Sequence, residues 1–233
     1  MMTTATETTN KPVTSINRQP EMHKSRLAVS SDNPNVLTDI YREEVNIAIW
    51  QQELSHDVVS CAQRLVTEIP HLKAVMTVTP QESYQHLTEH LSLFENNHLI
   101  CHQISLLVDM FCTLFELKRV GLRLTALDRA MCPKFHVDRV PSRLVCTFTG
   151  NTTQWLENNV IDRSKLGIGS QGLADEESGL LQSIEDINQL SVGDVALLKG
   201  EGWIDNEGGG LVHRSPSLTK DEKRLLLTLD FIN

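Results

Sequence analysis

Apolar positions along the chain fall into three textures. From 1 to 36 large apolar side chains are sparse among Thr, Ser, Asn and Pro. Such a stretch cannot bury enough surface to offset the entropy of ordering it, which predicts a disordered tail. From 37 to 117 the apolar residues recur mainly at helical spacing. Ser55 offers an N-cap to a helix that runs to Ile69, with Val58, Val59, Ala62, Leu65 and Val66 on one face and Pro70 ending it. Leu87, Leu91 and Phe94 make a second stripe. Ile100, Ile104, Leu107, Val108, Phe111, Leu114 and Phe115 make a third, parted from it by the polar Glu95-Asn96-Asn97. Short β-branched runs at 45–50 and 74–78 predict strands between these helices.

After Val120 the period shortens. Leu122 and Leu124 alternate with Gly121, Arg123 and Thr125, and further short runs follow at 143–148, 194–198, 211–213 and 224–231. Most are bounded by Gly, Pro, Asn or Asp, which is strand-and-turn punctuation. Helices followed by a series of short strands predict an α+β chain. Its C-terminal half, 118–233, is expected to be mainly a β jelly roll, a double-stranded β-helix, buttressed by the helical and mixed segment 37–117. The acidic connection 158–190, containing Gly167, Gly169, Gly172 and Gly179, carries no strand pattern. Loops of that length tend to be lids or disordered segments.

Composition narrows the function classes. With 233 residues and 40% hydrophobic side chains, the chain can bury one large core. The net charge of −9 and the lack of any Lys/Arg run longer than two argue against a phosphate-neutralising surface, so no nucleic-acid partner is expected. No apolar run approaches the roughly 18 residues of a membrane span, and the N-terminus lacks a basic-then-apolar leader. Five cysteines, an odd number without tight spacing, read as reduced buried thiols of a cytoplasmic protein.

The candidate chemistry lies in Cys132-Pro133-Lys134-Phe135-His136-Val137-Asp138, answered by His213 and then by Arg224. An H-x-D tripeptide alone is weak, since with 9 histidines in 233 residues it arises by chance in roughly half of such chains. Its phase says more. Along a strand, Val137 places His136 and Asp138 on one face, and an imidazole from an antiparallel neighbour completes a two-histidine, one-carboxylate metal face with open positions. Each residue also has a structural reading. His136 and His213 could be hydrogen-bonded barrel histidines. Arg143 could form a surface ion pair or reach a co-substrate or the acidic loop. Cys132 could be a fourth ligand suited to zinc or a buried thiol. Trp155 and Trp203 read as packing residues. A rival metal site is His86-Leu87-Thr88-Glu89-His90, the H-x-x-E-H arrangement of inverted zinc peptidases, followed by His98, Cys101 and His102. It reads equally as the polar face of a helix.

In this order of features, residues 120–231 resemble the double-stranded β-helix oxygenases that depend on Fe(II) and 2-oxoglutarate. The features are a strand at 121–127, the H-x-D, an apolar strand ending at Gly150, Gly193-Asp194, the distal His213, and Arg224 opening Arg-Leu-Leu-Leu-Thr-Leu-Asp-Phe. The resemblance implies that His136, Asp138 and His213 hold iron. It also implies that Arg224 grips the far carboxylate of 2-oxoglutarate, with Lys220 and Lys223 as alternatives. A guanidinium fork suits that task because it makes two charge-assisted bonds. A second likeness rests on Phe135-His136-Val137-Asp138, Arg143-Leu144, Gly150, Thr153, Trp155-Leu156 and the run from Gly193 to Gly200. These are similar to a family of bacterial proteins known as a domain of unknown function. That likeness implies a proteobacterial, cytosolic protein with a link to metal limitation, and it supplies no activity. The expected function is thus an oxygenase acting on a small-molecule or protein substrate. The alternative is a cupin-like protein that binds zinc or another metal for homeostasis without turnover, and a third possibility is a barrel that has lost its metal and only binds a partner.

Overall fold

The computed structural model describes residues 26–232. Helix α1 (His56–Glu68) starts where the Ser55 hydroxyl accepts the Val58 N–H. Helix α2 (Pro80–His90) starts in the same way, with Thr79 accepting from Glu82 and proline in the first turn. The helix ends at His90, a run of turns over 91–97 with Asn96 at φ 61° takes the chain through the polar spacer, and α3 (His98–Leu114) follows. Their apolar stripes, among them Leu65, Leu87, Ile104 and Phe111, are buried on one face of a large sheet.

Among the described residues the strands form two sheets. The large one has the order β1-β2-β8-β5-β10-β4-β3. Its members are β1 (Leu27–Ser31), β2 (Val45–Trp50), β3 (Lys73–Val78), β4 (Val120–Leu127), β5 (Ser142–Thr149), β8 (Val195–Lys199) and β10 (Arg224–Asp230). The small one has the order β7-β6-β9, with β6 (Gln154–Leu156), β7 (Ile187–Gln189) and β9 (Val212–Arg214), and a bridge from His136 to His213 adds a fourth row at its edge. From β4 onward the chain passes between the layers, large, small (His136), large, small (β6 and β7), large, small and large. That is the winding of a jelly roll, the fold expected from the sequence.

Alternation along the strands defines the barrel interior. On β10, Leu225, Leu227 and Leu229 join the helices in one core, whereas Leu226 packs with Val145 and Ala196 against Trp155 of the small sheet. Arg224, Thr228 and Asp230 share the inner face with Leu226, as Arg143 and Thr147 do with Val145.

Two expectations are corrected. The tail drawn over 1–36 is too long, because β1 pairs in parallel with β2 and a 3-10 helix covers Pro34–Tyr41. The remainder of that expectation, 1–25, lies outside the described residues. The connection over 158–190 is neither lid nor disordered. It winds through short 3-10 turns, at Asn158–Val160, Arg163–Lys165, Gly167–Ser170 and Ile184–Asp186, and then enters β7. Its Leu180 and Leu181 are buried with Phe135, Leu156 and Val212 on the outer face of the small sheet. Single turns have no sustained apolar period, so pattern reading had nothing to register. No helix among the described residues is long and apolar enough to cross a membrane.

Candidate metal centre

His136 and His213 face each other as a hydrogen-bonded antiparallel pair, each N–H donating to the other's carbonyl at 3.0 Å. That pairing sends both rings to one side, with centroids 4.6 Å apart. Trp155 lies directly across from His213 on β6 and packs in the inner cluster, which places the rings inside the barrel. Asp138, two residues on, shares their face. The chain beyond it is pinned by the Gly200–Gly202 turn, where Glu201 N–H donates to the Asp138 carbonyl at 2.8 Å. A Cβ at Gly200 would fall 2.1 Å from the Val140 carbonyl oxygen, so this approach requires glycine.

The three donors converge. His213 Nε2 lies 3.4 Å from Asp138 Oδ2 and His136 Nε2 lies 4.0 Å from Asp138 Oδ1. One ligand atom from each residue falls within 4.8 Å of the others. An octahedral ion about 2.1 Å from each ligand wants neighbouring donors about 3 Å apart, which small side-chain rotations provide. The donor chemistry also fits. His136 Nδ1 lies 2.9 Å from the Lys134 carbonyl and His213 Nδ1 3.1 Å from the Leu211 carbonyl. A carbonyl only accepts, so both Nδ1 atoms carry a proton, and both Nε2 atoms face Asp138, where each donates to the carboxylate when its ring is charged and can ligate an ion when it is neutral. Burial, and next the neighbouring His213, lower the pKa of His136 and favour its neutral, ligating form. Burial pushes the Asp138 carboxyl up. The hydrogen bond from His213 and the charges of His213, Arg143 and His136 outweigh it and hold the group at about 2, ionised.

The two candidate arginines behave differently. Arg143, expected to contact a co-substrate, instead closes on two carboxylates. Its Nε and Nη2 donate to Asp230 at 2.6 and 3.0 Å, and its Nη1 donates to Asp138 Oδ2 at 2.8 Å. Arg224 is 1% exposed and donates to the hydroxyls of Thr147 at 3.0 Å and Thr153 at 2.7 Å. No carboxylate pairs with it among the described residues, and burial pushes its pKa down to about 10.

The other candidates are not drawn in. Cys132 is exposed, neither buried nor part of the cluster. Lys220 is exposed and Lys223 half-buried, both in the turn before β10. His86, Glu89 and His90 are exposed on α2, and no metal-capable cluster forms there among the described residues. His102 stacks on Tyr84 at 4.3 Å, and burial pushes the Cys101 thiol up to about 12. Trp203 packs edge-on against Tyr41 and Phe115, as a packing residue does. Sequence reasoning missed Asp230 and Asp175, which tie down Arg143 and Arg214 across 87 and 39 residues. No local pattern reports partners so distant.

The fold is similar to that of dioxygenase for auxin oxidation 1 from Arabidopsis thaliana in its binary complex with 2-oxoglutarate. The TM-score is 0.50 and the identity 8%, covering 89% of this chain and 94% of that one. The rice dioxygenase for auxin oxidation matches with a TM-score of 0.49 and 8% identity over 89% of this chain and 83% of that one. A prolyl-4-hydroxylase from Pseudomonas putida matches with a TM-score of 0.42 and 12% identity over 84% and 96%. At such identities the likeness concerns the fold alone. No curated protein matches the chain. Residues 31–230, nearly the whole chain, match the family described as "Protein of unknown function (DUF1826)", and the chain belongs to that family.

Proposed function

We propose that the chain is an Fe(II)- and 2-oxoglutarate-dependent oxygenase acting on a small-molecule or protein substrate. The observation that carries this reading is Arg224. A guanidinium buried to 1% exposure whose hydrogen-bond partners among the described residues are two threonine hydroxyls is a costly arrangement, and it becomes favourable once an anion arrives. Alternation puts it on the inner face of β10 with Leu226, and Leu226 packs in one cluster with Trp155, the residue across from His213. That a neighbour in fold was solved with 2-oxoglutarate supports the choice of anion. Bound iron would supply the redox chemistry by which oxygen oxidises 2-oxoglutarate and then the substrate. The two imidazoles and the carboxylate would hold the ion and leave positions open on its far side. Arg224 would bind the distal carboxylate, with Thr147 and Thr153 fixing the guanidinium plane. Val145, Trp155 and Leu226 line the same interior and exclude water. Arg143 acts on Asp138, holding the carboxylate ionised and oriented.

The zinc-carrier alternative gains from a fourth protein ligand, and among the described residues Cys132 does not join the cluster. The test is anaerobic calorimetry of metal-free protein with Fe(II) and then 2-oxoglutarate, followed by assay of succinate formation in air. Micromolar binding of both and slow conversion of 2-oxoglutarate are expected. Fe(II) binding without any 2-oxoglutarate binding would leave a metal protein and end the oxygenase reading.

A further inference from the structure

Directly behind the two histidines, on the outer face of the small sheet, lies a second tightly bonded group. The register that pairs His136 with His213 also sets Phe135 opposite Arg214, with the Arg214 guanidinium 4.3 Å from the centre of the Phe135 ring. Asp175, from the long connection, reaches both. One oxygen, Oδ2, accepts the Phe135 backbone N–H at 2.8 Å and Arg214 Nη1 at 3.1 Å. Its side chain is 5% exposed. Glu176 adds a contact to Arg214 at 2.9 Å, and Gln154 accepts Arg214 Nε at 2.9 Å. Two residues earlier, the Leu173 carbonyl accepts Lys134 Nζ at 2.9 Å, and Lys134 is the residue whose carbonyl fixes His136 Nδ1.

We infer that Asp175 is a positioning residue for the metal centre, holding the two histidine-bearing strands at ligating spacing through Phe135 and Arg214. The inference rests on the metal reading above. Both of its donors are one residue from a ligand, one on each strand, so a shift in either bond moves a histidine. A buried carboxylate is stable only when its acceptor sites are filled, and here the filling groups belong to the strands themselves. The small sheet needs such a tie. Its central strands are three residues long, and the His136 row is held to β9 by a single bridge. The connection thus lies behind the site as a brace, and the inner face stays open to ligands.

The test separates bracing from plain stability. Metal-free wild type and the variants Asp175→Ala, Asp175→Asn and Arg214→Met are titrated with Co(II), reading affinity by calorimetry and coordination by the visible ligand-field spectrum. Urea unfolding of each metal-free protein is measured alongside. Asp175→Ala is expected to weaken Co(II) binding by about 10- to 100-fold and to alter the spectrum, the effect typical of losing support for a ligand. Asp175→Asn keeps an acceptor for Phe135 but loses the ion pair, so a smaller loss is expected, and it keeps the test usable if the alanine variant does not fold. Wild type in urea, at a concentration that lowers its stability to that of the variant, should bind Co(II) with its own spectrum. If the variants are less stable yet bind Co(II) with wild-type affinity and spectrum, Asp175 only stabilises the connection and the inference is overturned. If wild type itself binds no Co(II), the metal reading fails and the brace with it.

Discussion

At the two ends of β10, two inward-facing arginines of the barrel, the half-buried Arg143 and the buried Arg224, sit in opposite electrostatic states. At its end, Arg143 from the neighbouring β5 meets Asp230 and Asp138, and although burial lowers its pKa, the hydrogen bond and charges of those carboxylates raise it above the ordinary value. At its start, Arg224 is more deeply buried, meets two neutral hydroxyls, and has its pKa pushed down to about 10. Residue type was the same clue in both cases. The difference teaches that an inward-facing guanidinium is a structural tie where acids surround it and, in the function proposed above, a receptor where none does. Position in the sequence did not distinguish the two.

The largest test of that contrast is Arg143→Leu. It strands two carboxylates in the barrel, and urea unfolding of the metal-free protein should show about 3 kcal/mol lost. A loss under about 1 kcal/mol would mean that Arg143 is not the tie described. Next is Asp138→Ala, which removes a candidate ligand from the balanced end. Calorimetry should show Co(II) binding weakened at least ~100-fold, about 2.7 kcal/mol. The mirror-image experiment is Arg224→Met. Binding of 2-oxoglutarate to the metal-loaded protein should weaken by about tenfold or more. Unlike Arg143→Leu, it should leave metal-free stability equal or higher, because an apolar side chain replaces an uncompensated buried charge. Equal destabilisation by both arginine variants would erase the distinction.

The smallest expected effect extends the comparison to Lys199, on the opposite face of the large sheet. It is 1% exposed, donates to the Arg42 carbonyl at 2.8 Å and lies 4.9 Å from the Trp203 ring centre. Burial, and then the charge of Arg26, push its pKa down to about 8 from 10.5. Between those values the unfolded chain still holds the proton that the fold has released, so stability rises with pH across this window. The rise should be about 1 kcal/mol from pH 8 to 9. In Lys199→Met, denaturation midpoints should lose that slope.

Much of this architecture is legible in the linear chain. The stripe from Ile100 to Leu114 becomes α3, whereas of Leu87, Leu91 and Phe94 only Leu87 lies in α2, and the alternating runs become β4, β5, β8, β9 and β10 within a residue or two of the expected limits. The phase of His136 and Asp138 also carried through, since one intervening residue on an extended chain leaves little choice of face. What escaped notice was short or nonlocal. The three-residue strands β6 and β7 are too brief for alternation to register, and β1 is short, polar at two of its five positions, and lies in a polar segment.

The sequence alone thus determined the longer elements, the jelly-roll class and the identity of the three candidate ligands, because local periodicity and chain geometry act within a few residues. Only the tertiary structure decided which arginine is neutralised, which face of the small sheet the long connection covers, and that Asp175 stands behind the histidine pair. Those outcomes depend on which side chains meet across 39 to 87 residues. Such meetings are set by the packing of the whole barrel, where the energy of a buried charge is fixed by neighbours that no local pattern records.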